Sequence, residues 1–186
     1  MPSDSDPSST QLPFHGRTIA LVGLMGAGKS TVGRRLADKL GRDFYDSDHE
    51  IEKAAGLSIS DIFAKHGEAD FRRGEKQVIR RLLDMPPHVL ATGGGAYLDP
   101  DTRAILRERA ITVWLNADIE TLWRRVQKRD TRPLLQRADA KEHLAHLVME
   151  RQPFYSQADL VVHSKDGPHT HTVNAILKAL QTWKPK

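Results

Sequence analysis

The sequence contains no cysteine. Disulfide staples and thiolate metal centres are therefore excluded, and the composition suits a reducing, cytoplasmic setting. Long apolar runs are missing as well. The longest, Ile19–Met25, falls far short of the ~20 residues that span a bilayer. A membrane role is not expected, and this run reads as a buried strand. Aromatic residues make up only 6% of the chain, and no basic block is interleaved with them. Base-stacking platforms need both, so no nucleic-acid partner is expected. The segment 1–16 holds Asp4 and Asp6 but no Lys or Arg. Without a charged n-region and an apolar h-region it is no signal peptide, and it reads as a disordered N-terminal extension.

What remains is one globular domain, residues 17–186, with 39% hydrophobic residues to build a core. The net charge is +4, which points to an anionic ligand. Arginines come in scattered pairs such as Arg34–Arg35, Arg72–Arg73 and Arg124–Arg125, a pattern that suits small phosphorylated ligands better than a polyanion. Strand and helix patterns alternate along the chain. Short apolar strands are expected at Thr18–Val22, Asp43–Tyr45, His88–Ala91, Ile111–Leu115 and Leu160–His163. Helical spacing occupies the segments between them, with separate helices expected at Ile59–Lys65 and Glu68–Leu83. Five such strands with intervening helices imply an α/β fold, a parallel sheet covered on both faces. The segment 127–139 is polar and arginine-rich around Pro133 and reads as a mobile lid.

The strongest motif follows the first strand. Gly23-Leu-Met-Gly-Ala-Gly-Lys-Ser30 fits G-x-x-x-x-G-K-S/T, the phosphate-binding loop. Its glycines let backbone N–H groups curl toward phosphate oxygens, and the next helix adds its positive end. Gly26, Ala27, Gly28, Lys29, Ser30 and Thr31 form the expected ATP-binding segment. Lys29 would reach the β- and γ-phosphates, and the Ser30 hydroxyl would ligate Mg²⁺. A P-loop alone does not name a reaction. The chain has no N-K-x-D element, and its third strand runs into Gly93-Gly94-Gly95 rather than a lone aspartate. A compact metabolite kinase is favoured.

Further elements come in order: Phe44-Tyr45-Asp46-Ser47-Asp48, Gly67-Glu68, Phe71-Arg72-Arg73 with Glu75, the triple glycine, Arg132-Pro133-Leu134-Leu135, and Arg151-Gln152-Pro153-Phe154-Tyr155. In order and spacing, from about residue 17 to 183, the chain resembles the shikimate kinases. The resemblance implies a three-layer α/β/α P-loop fold with strand order 2-3-1-4-5 and a monomer. It also implies ATP-dependent phosphorylation of the shikimate 3-hydroxyl, on the route to chorismate and aromatic amino acids.

Chemistry assigns the residues roles on that reading. Asp48, just beyond a strand end, would hold the acceptor hydroxyl and take its proton. Asp46 would face Mg²⁺ through a water. Arg72 and Arg151 would grip the shikimate carboxylate, since guanidinium forks match carboxylates, and Glu75, one turn on, would hold Arg72. Gly93, Gly94 and Gly95 would let backbone approach the acceptor with N–H groups to spare. Arg132, in the lid, would offset transition-state charge. The resemblance further implies that Arg125 stacks on adenine, with a segment near Ser164–Pro168 as a wall. The nine histidines show no ligand spacing and are expected to be solvated. Gluconate kinase is the nearest competing reading, and a catalytically silent nucleotide-binding module is a second. The Asp46-Ser47-Asp48 element and the triple glycine favour shikimate over gluconate.

Overall fold

The computed structural model describes residues 14–128 and 138–185. A single five-stranded parallel sheet runs in the order β2-β3-β1-β4-β5. Its strands are β1 Thr18–Val22, β2 Phe44–Asp46, β3 Val89–Ala91, β4 Ala110–Asn116 and β5 Leu160–His163. All five residues of β1 are buried, as a central strand covered on both faces must be. The expected strand order is therefore observed, in a three-layer α/β/α arrangement.

The helices are α1 Lys29–Leu40, α2 Ser47–Ala55, α3 Ile59–Leu83, α4 Pro100–Arg109, α5 Ile119–Gln127, α6 Ala140–Tyr155 and α7 His169–Thr182, with a 3-10 turn at Ala96–Leu98. Helix α1 buries Val32, Leu36 and Ala37 and ends at Gly41 in the left-handed conformation, the cap expected of a glycine there. It lies close on β2: a Cβ at Gly33 would sit 2.5 Å from the Phe44 ring. Helices α1 and α7 pack on one another, while α4 and α6 flank the 3-10 turn that follows β3. Gly67 breaks α3 with φ 79° and ψ 174°, so the two helices expected on either side of it meet at a kink. No described helix is long and apolar enough to cross a membrane.

Several boundaries differ from expectation, and three of them have a clear local reason. The extension was expected to reach residue 16, yet Phe14 is 2% exposed in the core. Arg42 donates to the carbonyls of Phe14, His15 and Arg17 at 3.2, 2.7 and 2.8 Å, so the folded body includes these residues. The rest of the expected extension lies outside the described residues. Helix α2 starts at Ser47 because Asp46 is its N-cap, its Oδ1 accepting the Asp48 N–H at 3.1 Å. Helix α7 starts at His169, directly after Pro168, where the apolar spacing of the sequence predicts a helix over Val173–Thr182. The expected lid and Arg132 also fall outside the described residues, apart from the lid's two ends.

Candidate active site

A cleft of about 840 Å³ opens along the carboxyl ends of the strands, where ligands bind in open α/β sheets. At one end lies the P-loop. Gly23, Gly26 and Gly28 all take positive φ, 140°, 84° and 94°, which an L-residue avoids. At Gly23 space is short too, since a Cβ would lie 2.8 Å from the Leu115 carbonyl oxygen. Lys29 is buried and donates to the carbonyls of Gly23 at 2.7 Å and Leu24 at 2.9 Å. Thr31 and Ser30 line the cleft beside it. Ala27 does not: it is fully buried, its N–H bonds to the Leu24 carbonyl at 3.2 Å, and its own carbonyl accepts from Arg125 and Ser164. It shapes the loop from beneath.

Ser30 and Asp46 meet across the sheet end, the Ser30 hydroxyl donating to Asp46 Oδ2 at 2.5 Å. A hydroxyl and a carboxylate at the mouth of a P-loop are hard oxygen donors suited to Mg²⁺, which keeps waters and takes its other ligands from substrate phosphates. Among the described residues no cluster of three or more carboxylates, histidines or cysteines competes for a metal.

At the other end of the cleft the triple glycine is packed against three charged side chains. A Cβ on Gly93 would lie 2.6 Å from Asp48 Oδ1 and 3.0 Å from Glu75 Oε1, and one on Gly95 would lie 2.5 Å from the Arg72 guanidinium. Arg72 donates to Glu75 Oε2 at 2.7 Å, and Glu75 is only 2% exposed. The i,i+3 pair expected from the sequence is formed, and it is buried on the glutamate side. Arg151 lines the same cleft, with its guanidinium 3.5 Å from the Gly94 carbonyl.

The glycines do more here than let backbone approach an acceptor ring. The Gly93 N–H is already held by the Ser47 hydroxyl at 2.9 Å, so it is no spare donor. The missing side chains make room for Asp48, Glu75 and Arg72. Asp48 itself stands in the first turn of α2 rather than on an extended strand end. It reaches the cleft because the N-cap turns the chain there. Burial, and then the neighbouring Asp46 charge, push the Asp48 carboxyl above its ordinary range against the pull of Lys29. Burial does the same to Glu75 despite Arg72.

Arg125 is fixed at the P-loop end of the cleft. Its guanidinium donates to Gly26, Ala27 and Lys165 carbonyls and to Ser164 Oγ, at 3.3, 3.1, 2.8 and 3.0 Å. Asp166 and Gly167, from the expected adenine wall, line the cleft with it. So does His169, whose Nδ1 is buried with no hydrogen-bond partner. His88 is 1% exposed beneath the sheet. These two histidines correct the expectation that all nine are solvated. Sequence spacing gives no hint of them, because tertiary packing brings each to its place. Also unanticipated is the apolar wall of Ile59, Phe63 and Phe71 on the acceptor side, with the two phenylalanine rings 4.6 Å apart.

The family model for shikimate kinase matches residues 25–181. A shikimate kinase of Caulobacter vibrioides (strain NA1000 / CB15N) is 55% identical over 169 residues, 91% of this chain and 84% of that protein. Among solved structures, shikimate kinase from Acinetobacter baumannii in complex with shikimate superposes with a TM-score of 0.84 at 41% identity, covering 90% of this chain and 94% of that one. A gluconokinase from Sinorhizobium meliloti 1021 shares the fold, with a TM-score of 0.59 at 19% identity over 89% of this chain and 92% of that one. With a P-loop facing an arginine- and aspartate-lined acceptor pocket, and relatives of this identity over this length, the chain belongs to the shikimate kinase family.

Proposed function

We propose that this protein transfers the γ-phosphoryl group of ATP to the 3-hydroxyl of shikimate, giving shikimate 3-phosphate and ADP. The observation that carries the reading is the grouping of Arg72, Asp48 and Arg151 around Gly93–Gly95, in the same cleft as the P-loop. Two guanidiniums suit a carboxylate, and a carboxylate beside them suits a ring hydroxyl. Phosphoryl transfer asks little covalent work of a protein, so positioning and charge placement do most of it.

The site residues divide the task. Gly26, Gly28, Lys29, Ser30 and Thr31 bind the nucleotide phosphates, with Ala27 supporting the loop. The Lys29 ammonium exchanges its two carbonyl partners for phosphate oxygens. Ser30 and Asp46 would hold Mg²⁺, which when bound supplies charge neutralisation on the β- and γ-oxygens. Asp48 orients the acceptor hydroxyl and takes its proton as the new O–P bond forms. Its raised affinity for a proton suits it to that step better than an ordinary surface aspartate. Arg72, anchored by Glu75, and Arg151 hold the acceptor carboxylate. Arg125, Asp166, Gly167 and His169 line one end of the cleft and would border the base, and Arg132 would offset charge on the phosphates. The reading needs no second subunit, and a monomer is proposed. Dependence on ATP and shikimate suits the cytoplasm, and the reading needs no nucleic-acid or membrane partner.

The test is ADP release by the purified protein with ATP–Mg²⁺ and a panel of acceptors. Shikimate is expected to support turnover, and gluconate and nucleoside monophosphates are not. Preferred turnover of gluconate would overturn the reading.

A further inference from the structure

Tyr155 is 2% exposed in the core, packed with its ring 6.0 Å from that of Trp114. Its hydroxyl reaches out of that core to the glycine loop that borders the cleft. It donates to the Gly94 carbonyl at 2.5 Å. Arg151 and Tyr155 stand one turn apart near the end of α6, on the same face. The Arg151 guanidinium is itself 3.5 Å from the Gly94 carbonyl, too long for a strong bond. Gly94 also lies against the P-loop: a Cβ there would be 3.5 Å from the Met25 nitrogen and 3.8 Å from the Gly23 carbonyl oxygen. The phenol and the Arg151 guanidinium thus converge from α6 on one carbonyl of the glycine loop.

We infer that Tyr155 is a positioning residue for acceptor recognition, one that satisfies the Gly94 carbonyl and keeps the Arg151 guanidinium turned toward the pocket. The physical reason is competition. A partly buried carbonyl that loses its donor is left to other donors, and the Arg151 guanidinium already stands 3.5 Å from it. Without the phenol O–H, the guanidinium closes the gap to Gly94 and is drawn off the acceptor carboxylate. Burial raises the pKa of the phenol, so it stays a donor through the working pH range. Arg151 supplies the charge and Tyr155 directs it. This inference rests on the proposal that Arg151 binds the acceptor.

The experiment compares Tyr155→Phe, Arg151→Ala and the double variant, with shikimate and ATP each varied and shikimate affinity also measured by calorimetry without nucleotide. Phenylalanine keeps the ring and its packing against Trp114. Tyr155→Phe is expected to weaken shikimate in both assays by about tenfold, the scale of losing a charge-assisted contact, with the KM for ATP and kcat nearly unchanged. In the Arg151→Ala background the same substitution is expected to add almost nothing, because the group it directs is gone. Unchanged shikimate affinity in Tyr155→Phe overturns the inference, provided Arg151→Ala weakens shikimate. Equal losses in both backgrounds, or a matching loss of ATP affinity, also overturn it, since a general structural defect would act that way. If Arg151→Ala itself leaves shikimate affinity intact, the fault lies in the reading of the site, and the inference falls with it.

Discussion

Replacing Gly95 with alanine separates acceptor recognition from every other part of the site. Gly95 has φ −95° and ψ −12°, a negative-φ conformation that L-residues take in turns. The substitution brings no backbone strain, and by narrowing the unfolded ensemble it stabilises by about 0.4–1 kcal/mol. The new Cβ would lie 2.5 and 2.6 Å from the two terminal nitrogens of Arg72 and 2.8 Å from Cζ. Ordinary non-bonded contact is about 3.5 Å, so the guanidinium must retreat by about 1 Å. That movement is feasible because the Arg72 side chain is one-third exposed, but it pulls against the 2.7 Å bond to Glu75. A misplacement of about 1 Å in a positioning group costs up to ~100-fold. Some recovery by the flexible side chain sets the expected rise in the KM for shikimate at about 10- to 100-fold, or ~1.4–2.7 kcal/mol. The KM for ATP is expected to stay near the parent value and the thermal midpoint to stay level or rise. Steady-state kinetics with each substrate varied, plus a thermal melt, measure all three. A shikimate KM within about twofold of the parent would refute the placement of Arg72 against the acceptor, as would a parallel rise in the KM for ATP.

Asp48→Asn is expected to lower kcat by ~10²–10⁴-fold, the usual worth of a general base or orienting carboxylate, while raising the thermal midpoint at neutral pH. The sign follows from burial raising the pKa of Asp48 in the folded state above its unfolded value. The folded chain then binds the proton more tightly, so this group's stabilising contribution is complete below the unfolded pKa and is lost as pH rises through the folded pKa. Asparagine removes the cost of burying the charge, and an unchanged or lower midpoint would contradict this. Asp46→Asn keeps the N-cap, so its defect is expected to lie in Mg²⁺ dependence and to be partly rescued by excess Mg²⁺, read as kcat against Mg²⁺ at saturating shikimate. Failure of that rescue would remove Asp46 from the metal site. Acid stability is expected to depend on His88, whose pKa burial lowers. The unfolded chain takes up the proton first, so stability is lost as pH falls below the ordinary imidazole value of about 6.5. Melts between pH 7 and 5 are expected to fall more steeply for the parent protein than for His88→Leu.

Much of this architecture was legible in the sequence because it rests on local signals. The strand β1 is a continuous apolar run, the P-loop glycines occupy fixed offsets, and Gly41 marks the end of α1 with the cap its position demands. The Arg72–Glu75 pair was also accessible, since i,i+3 spacing places both on one helix face. What spacing does not carry is the reason for the triple glycine. That lies in side chains arriving from α2 and α3, 18 to 45 residues earlier in the chain. The helical position of Asp48 was hidden for a different reason. Asp46 reads equally well as a strand end and as a helix cap, and only its bond to the Asp48 N–H separates the two. His88, His169 and Tyr155 acquire their surroundings through long-range packing, to which sequence periodicity is blind.

The most direct test of the central claim is the identity of the product. Shikimate incubated with ATP–Mg²⁺ and this protein is predicted to give a single new phosphate ester, with phosphorus-31 coupling to the proton on carbon 3. Coupling to the proton of a different ring carbon, or ADP formed with no organic phosphate ester, would contradict the account.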